Sequence, residues 1–210
     1  MDWKNRHVWI IGASAGIGRA LAVALHAQGA SLALSARNRE ALGSLNAALQ
    51  GRHAVLPCDV TDIGAVAAAA AQIQKLDIVI FMAGEYVPTS VADMTKEDLV
   101  GIIDTNLKGA FHALIAILPR MRTQKNGMIA LCGSVAGYRG LPKGQPYSAT
   151  KAAMINLAET LYLEEKPNGI DVRLISPGFV RTRMTEKNAF AMPAAISPEE
   201  AAGEIVKGLE

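Results

Sequence analysis

Gly12-Ala13-Ser14-Ala15-Gly16-Ile17-Gly18 is the stretch on which the fold turns. It follows the apolar run His7-Val8-Trp9-Ile10-Ile11 and precedes an amphipathic segment, Arg19 to Gln28. A buried-type strand, a glycine turn and a helix thus arrive in the order that a dinucleotide site requires. Glycines let the backbone approach a pyrophosphate, and a helix N-terminus offers unpaired N–H groups with a partial positive charge. A glycine cluster alone is only a turn; its flanks give it the cofactor reading.

Outward from this turn, strand and helix alternate. Residues 31–35, 53–57, 77–81, 128–132 and 170–175 read as further strands. Segments 38–50, 62–74, 95–122 and 147–165 read as helices, and Ser197-Pro198-Glu199-Glu200 begins a last one with Ser197 as N-cap and Pro198 in the first turn. The alanine run 67–71 is a helix former rather than low complexity. Short, non-alternating apolar strands suit a parallel sheet covered on both faces. The expected architecture is an α/β, doubly wound, Rossmann-type sheet in the order 3-2-1-4-5-6, with residues 1–210 as one domain. The site is expected at the carboxyl ends of the strands, where the order reverses.

Composition narrows the function. The 210 residues are 50% hydrophobic and 19% charged, with a net charge of +2, so nothing argues for a nucleic-acid partner. Cys58 and Cys132 are isolated, and His7, His26, His53 and His112 form no constellation, so no metal site is expected. No uninterrupted apolar run suggests a membrane span, and the N-terminus leads directly into the first strand without a signal sequence; the cytoplasm is the expected location.

Tyr147-Ser148-Ala149-Thr150-Lys151 supplies the chemistry. On a helix, Tyr147 and Lys151 share a face. A phenol ordinarily titrates near pH ~10, and an adjacent ammonium is expected to lower that value and make an acid–base group without histidine or metal. Ser134 lies 13 residues upstream of Tyr147.

Taken together and in order, the glycine turn, Asp59-Val60, Ala83-Gly84, Asn106, Ser134, Tyr147 with Lys151, and Pro177-Gly178 resemble the short-chain dehydrogenase/reductase family over roughly residues 7–184. The resemblance implies that Tyr147 exchanges a proton with the substrate oxygen and that Ser134 holds that oxygen. It implies that Lys151 lowers the Tyr147 pKa and bonds the nicotinamide ribose. Asn106 would kink its helix and hold a water linking Lys151 to solvent. Gly12, Ser14, Ala15, Gly16, Ile17 and Gly18 would hold the pyrophosphate side of the cofactor. Asp59 and Val60 would lie near the adenine, Ala83 and Gly84 along the central crevice, and Pro177-Gly178 beneath the nicotinamide. Two hydroxyl donors aimed at a developing oxyanion stabilise it, while the cofactor carries the redox chemistry. There are departures. Ile11 stands where the family often has threonine, Phe81 and Met82 replace an asparagine pair, and a seventh strand is expected to be absent.

Strand 2 ends Leu34-Ser35-Ala36-Arg37-Asn38-Arg39. An NAD site wants an acidic residue here, and the slot falls at Ala36. Arg37, helped by Ser14 and Arg39, is expected to meet a 2′-phosphate, so NADP(H) is preferred over NAD(H). The expected function is an NADP(H)-dependent oxidoreductase acting on a small carbonyl or alcohol. Competing readings are a catalytically silent dinucleotide-binding protein and a non-redox enzyme on the same scaffold. The substrate walls are expected at 85–88, 135–142 and 179–193, the last a short, methionine-containing lid over an open pocket. Apolar surfaces on 98–122 and 147–165 suggest a homodimer.

Overall fold

In the computed structural model, which describes residues 2–210, the run His7–Ile11 forms strand β1 and lies inside a parallel sheet. Its neighbours are β2 (Ser31–Ser35) and β4 (Ile78–Phe81). With β3 (Ala54–Val55), β5 (Gly127–Cys132) and β6 (Ile170–Ile175) the order is β3-β2-β1-β4-β5-β6. Successive side chains on a strand point to opposite faces, and both faces here are covered. Trp9, Ile11, Val79 and Phe81 pack on one side; Val8, Ile10, Ile78 and Ile80 pack on the other. That is why the strands carry no polar alternation.

Three helices, α1 (Gly16–Ala27), α2 (Arg39–Ala48) and α7 (Pro198–Leu209), cover the second face through Leu21, Leu25, Leu42, Leu45 and Val206. Helices α3 (Ile63–Ala71), α5 (Gly109–Gln124) and α6 (Tyr147–Glu165) cover the first through Val66, Ala113, Ile117, Met154 and Ala158. Side-chain caps set several helix starts. Asn38 accepts from Ala41 N–H, Asp62 from Gly64 and Ala65, and Thr95 from Asp98 at the start of α4 (Lys96–Ile103). Ser197 and Glu200 close a capping box on α7, with Pro198 in its first turn.

Two expectations need adjustment. The strand expected over 53–57 pairs by sheet register only at Ala54 and Val55, although Leu56 N–H still donates to the Leu34 carbonyl at 2.9 Å. The segment expected as one helix, 95–122, is interrupted by a π turn, Asp104–Lys108, between α4 and α5. Taken whole, Lys96–Gln124 spans 29 residues and is apolar enough, at a mean hydropathy of 1.2, to cross a membrane by length and composition. In the fold, 44% of that apolar window is buried against the rest of the chain.

Ile11 and Phe81, at two of the departures from the family pattern, are fully buried in the same apolar cluster, and Met82 packs against the opposite one. The central strands are therefore joined there by packing.

Candidate active site

The glycine turn wraps the carboxyl end of β1 because only glycine fits. A side chain at Gly12 would bring its Cβ to 2.5 Å from the Ala83 nitrogen, and Gly12 has φ of +99°. A Cβ at Gly18 would stand 2.2 Å from the Gly12 carbonyl oxygen. The tight approach sets α1 against the end of β1 and opens a cavity of about 370 Å³ at the carboxyl ends of the strands. Gly12, Ser14, Ala15, Gly16, Ile17 and Gly18 all line it. Unlike α2, α3, α4 and α7, α1 has no side-chain cap at its N-terminus. Its first N–H groups are left for an anion.

The cavity wall continues through Arg37, Val60, Ala83 and Gly84, then Pro177 and Gly178, and reaches Ser134, Tyr147 and Lys151. Three elements converge here. Ser134 follows β5, and its Oγ accepts from Ala136 N–H at 3.1 Å, which fixes its direction. Tyr147 and Lys151 come from the first turns of α6. Lys151 is buried, and its Nζ donates to the Cys132 carbonyl at 2.7 Å.

The expected effect of Lys151 on Tyr147 is not what this geometry produces. The ammonium lies 5.6 Å from the Tyr147 ring centroid and bonds a carbonyl. Burial instead pushes the phenol up to about 12; Cys132 adds to the rise and the Ser134 hydroxyl opposes it. Desolvation disfavours the phenolate more than its neighbours favour it, so at neutral pH the phenol keeps its proton.

Asn106 and Asp59 stand off the cavity wall. Asn106 is fully buried in the π turn. Its Oδ1 accepts from Glu85 N–H at 2.6 Å; its Nδ2 donates to the Glu85 carbonyl at 3.0 Å and to Thr150 Oγ1 at 3.1 Å. It clamps the chain after Gly84 to α6, where the sequence reading gave it a water. Asp59 Oδ1 accepts from the backbone and the hydroxyl of Thr61, both at 2.9 Å, which turns the chain locally, while Cys58 and Val60 on either side reach the cavity. Arg39 lies outside the lining, and Asn38 is on it.

Cys58, Thr105 and Cys132 line the cavity and escaped the sequence reading, whereas Thr182 and Arg183 line it from the wall expected at 179–193. Tyr86 sets its ring edge-on to Tyr147, centroids 5.0 Å apart. Cys132 had a usable signal, since it stands two residues before Ser134. Tyr86 falls in the wall expected at 85–88, but its partners, Tyr147 and Asn188, are distant in sequence and left no signal.

A family model described as short chain dehydrogenase matches residues 6–192. The chain belongs to the short-chain dehydrogenase family. It is 34% identical over 187 residues to the 3-oxoacyl-(acyl-carrier-protein) reductase of Rickettsia bellii, covering 89% of this chain and 78% of that protein. A solved structure described as a short chain dehydrogenase/reductase family protein superposes with a TM-score of 0.92 at 28% identity, over 98% of this chain and 90% of that one. A short-chain dehydrogenase from Sphingobium yanoikuyae in complex with NADPH superposes with a TM-score of 0.90, again at 28% identity, over 97% of this chain and 84% of that one. The family is one of oxidoreductases that bind a nicotinamide dinucleotide. The uncapped start of α1 and the glycine cradle fit such a group.

Proposed function

We propose that this chain is an NADP(H)-dependent reductase/dehydrogenase that interconverts a ketone or aldehyde with an alcohol, using Tyr147 as the acid–base group. The observation that carries the reading is a half-buried Tyr147, its pKa raised by desolvation, beside Ser134 and Lys151 on a cavity that runs back to the glycine turn. When bound, the nicotinamide supplies or accepts the hydride. Ser134 donates a hydrogen bond from its hydroxyl to the substrate oxygen and, with Tyr147, stabilises the charge that develops there. Tyr147 then passes its proton to that oxygen in the direction of reduction, for which the resting site already holds the proton. Lys151 has one protein partner, the Cys132 carbonyl, among the described residues, so two of its N–H donors remain for ribose hydroxyls. Asn106 holds Glu85 and Thr150 in place around these groups.

The NADP(H) preference is supported by the wall at the end of β2. Ala36, Arg37 and Asn38 line the cavity there, and no acidic side chain does. Arg37 is exposed and has no acidic partner among the described residues. Its guanidinium is available to a 2′-phosphate.

The reading extends to a cytoplasmic homodimer. Val100, Phe111 and Ile115 of the helix 96–124, and Tyr162 and Leu163 of α6, are exposed apolar side chains, and Phe111 and Ile115 form an i, i+4 stripe. Light scattering should give twice the chain mass; a monomer overturns the dimer.

The reaction is tested by following NADPH consumption against a panel of ketones and aldehydes, with Tyr147→Phe as control. Turnover that disappears in the variant is the expected result. Absence of turnover with every carbonyl, alongside measurable NADPH binding, would favour a silent dinucleotide-binding protein.

A further inference from the structure

Tyr86 is joined to three parts of the site at once. Its ring meets Tyr147 edge-on, centroids 5.0 Å apart and planes at 63°. Its hydroxyl donates to Asn188 Oδ1 at 2.9 Å, across 102 positions of sequence. Its backbone carbonyl accepts from Lys187 Nζ at 3.2 Å. The residue before it, Glu85, is gripped at both backbone groups by the buried Asn106. Asn188 in turn donates through Nδ2 to Met192 Sδ at 3.4 Å, and Thr185 of the same segment lines the cavity. A rigid anchor in the π turn thus leads through Tyr86 to the acid–base tyrosine on one side and to the segment after β6 on the other.

We infer that Tyr86 is a positioning residue for Tyr147, its ring excluding water from the phenol while its hydroxyl fastens the segment Thr185–Met192 beside the site. The inference rests on Tyr147 being the acid–base group. An edge-on aromatic pair has a defined geometry, so the ring limits where the Tyr147 phenol can stand. The ionisable neighbours of that phenol are Lys151, held on the Cys132 carbonyl, the Cys132 thiol and the Tyr86 phenol itself, which burial and then Tyr147 push up. The hydroxyl bond to Asn188 is a separate function of the same side chain, so the two roles come apart by substitution.

The test uses the full chain without substrate. Phenol ionisation is followed by ultraviolet absorbance, with Tyr147→Phe as the subtraction blank, in the wild type, Tyr86→Phe and Tyr86→Ala. Amide hydrogen exchange of residues 185–192 is measured in the same proteins and in Asn188→Ala. Tyr86→Phe should leave the Tyr147 titration unmoved and speed exchange about fivefold, the worth of one ordinary hydrogen bond. Asn188→Ala, which also loses the Met192 contact, should speed exchange at least as much, and adding Tyr86→Phe to it should change nothing further. Tyr86→Ala should speed exchange and also lower the Tyr147 pKa as water enters. An unmoved titration in Tyr86→Ala, or unmoved exchange in Tyr86→Phe, overturns the inference. Failure of the wild type to reduce any carbonyl would count against the functional reading alone, since both readouts are independent of turnover.

Discussion

Lys151 donates from its ammonium to the backbone carbonyl of Cys132, 2.7 Å away, while the same ammonium lies over the Tyr147 ring, 5.6 Å from its centroid. The bond ties α6 to the end of β5 and holds the Tyr147 helix against the strand that delivers Ser134. Burial raises the phenol by more than the Ser134 hydroxyl lowers it, and the pH behaviour of the site follows from that balance.

Tyr147 is raised from an ordinary 10.0 to about 12. A raised phenol binds its proton more tightly in the folded chain. It therefore contributes stability below pH 10.0 that is lost as pH climbs through about 12. Urea midpoints measured along an alkaline series should fall less steeply in Tyr147→Phe than in the wild type. A parallel fall in both proteins would show that the phenol is not buried as described.

Arg37 governs the choice between phosphorylated and unphosphorylated dinucleotide in this reading. Replacing it with alanine removes a charge-assisted bond, and NADPH should bind about ten- to a hundredfold more weakly. NADH affinity should change by less than about twofold, since the guanidinium has no acidic partner to release. Fluorescence titration with both dinucleotides decides it; equal losses for the two would remove Arg37 from the phosphate.

Ser35 joins β1, β2 and the residue after β3 at the carboxyl end of the sheet. The Trp9 indole N–H donates to Ser35 Oγ at 2.8 Å, and the Ser35 hydroxyl donates to the Leu56 carbonyl at 2.6 Å. Trp9 and Ser35 are fully buried. Ser35→Ala strands the indole donor and the carbonyl together and should cost about 2 kcal/mol. Urea denaturation followed by tryptophan fluorescence would measure it, and a loss below about 0.5 kcal/mol would mean that the groups find other partners.

His53 offers a second, acidic window. Its Nδ1 accepts from Leu32 N–H at 3.2 Å, which leaves its ring proton on Nε2, facing His26 Nδ1 at 2.9 Å. Burial, then the charges of His26 and Arg52, hold its pKa below the ordinary 6.5. The contribution is present above pH 6.5 and is lost as pH falls through the lowered folded value. His53→Gln keeps an acceptor for Leu32 and cannot be protonated, so its stability should depend less on pH between about 8 and about 5. An unchanged slope would place the acid sensitivity elsewhere.

What was legible beforehand and what was not divides by the range of the interaction. The strands, the glycine turn and the facing of Tyr147 and Lys151 follow from local patterns, because strand and helix periods repeat within a few residues, and the sheet order follows from the doubly wound rule once strand and helix alternate. The capping roles of Ser197 and Pro198 are equally local. The clamp of Asn106 on Glu85 spans 21 positions and the bond of Tyr86 to Asn188 spans 102, and neither leaves a periodic trace. Lys151 misled for a related reason. Helical spacing placed it beside Tyr147 correctly but carried no information about the Cys132 carbonyl, which arrives from a different strand. Asp59 lies between two cavity-lining residues, and it takes the Thr61 contact to show that its carboxylate is used in a turn.

The π turn at Asp104–Lys108 is also a phase shifter. An α-helix advances about 100° per residue, and the wider turn lets one long rod serve two masters: Asn106 inward on Glu85 and Thr150, and Phe111 with Ile115 outward. Because a π turn closes over five residues where an α turn closes over four, excising a single residue there would let the rod close as regular α-helix. Phe111 and Ile115 would keep facing outward and Ala113 and Ile117 inward. What would be lost is the local widening that carries Asn106 to Glu85 and Thr150, so one deletion would remove the inner clamp while sparing the outer stripe.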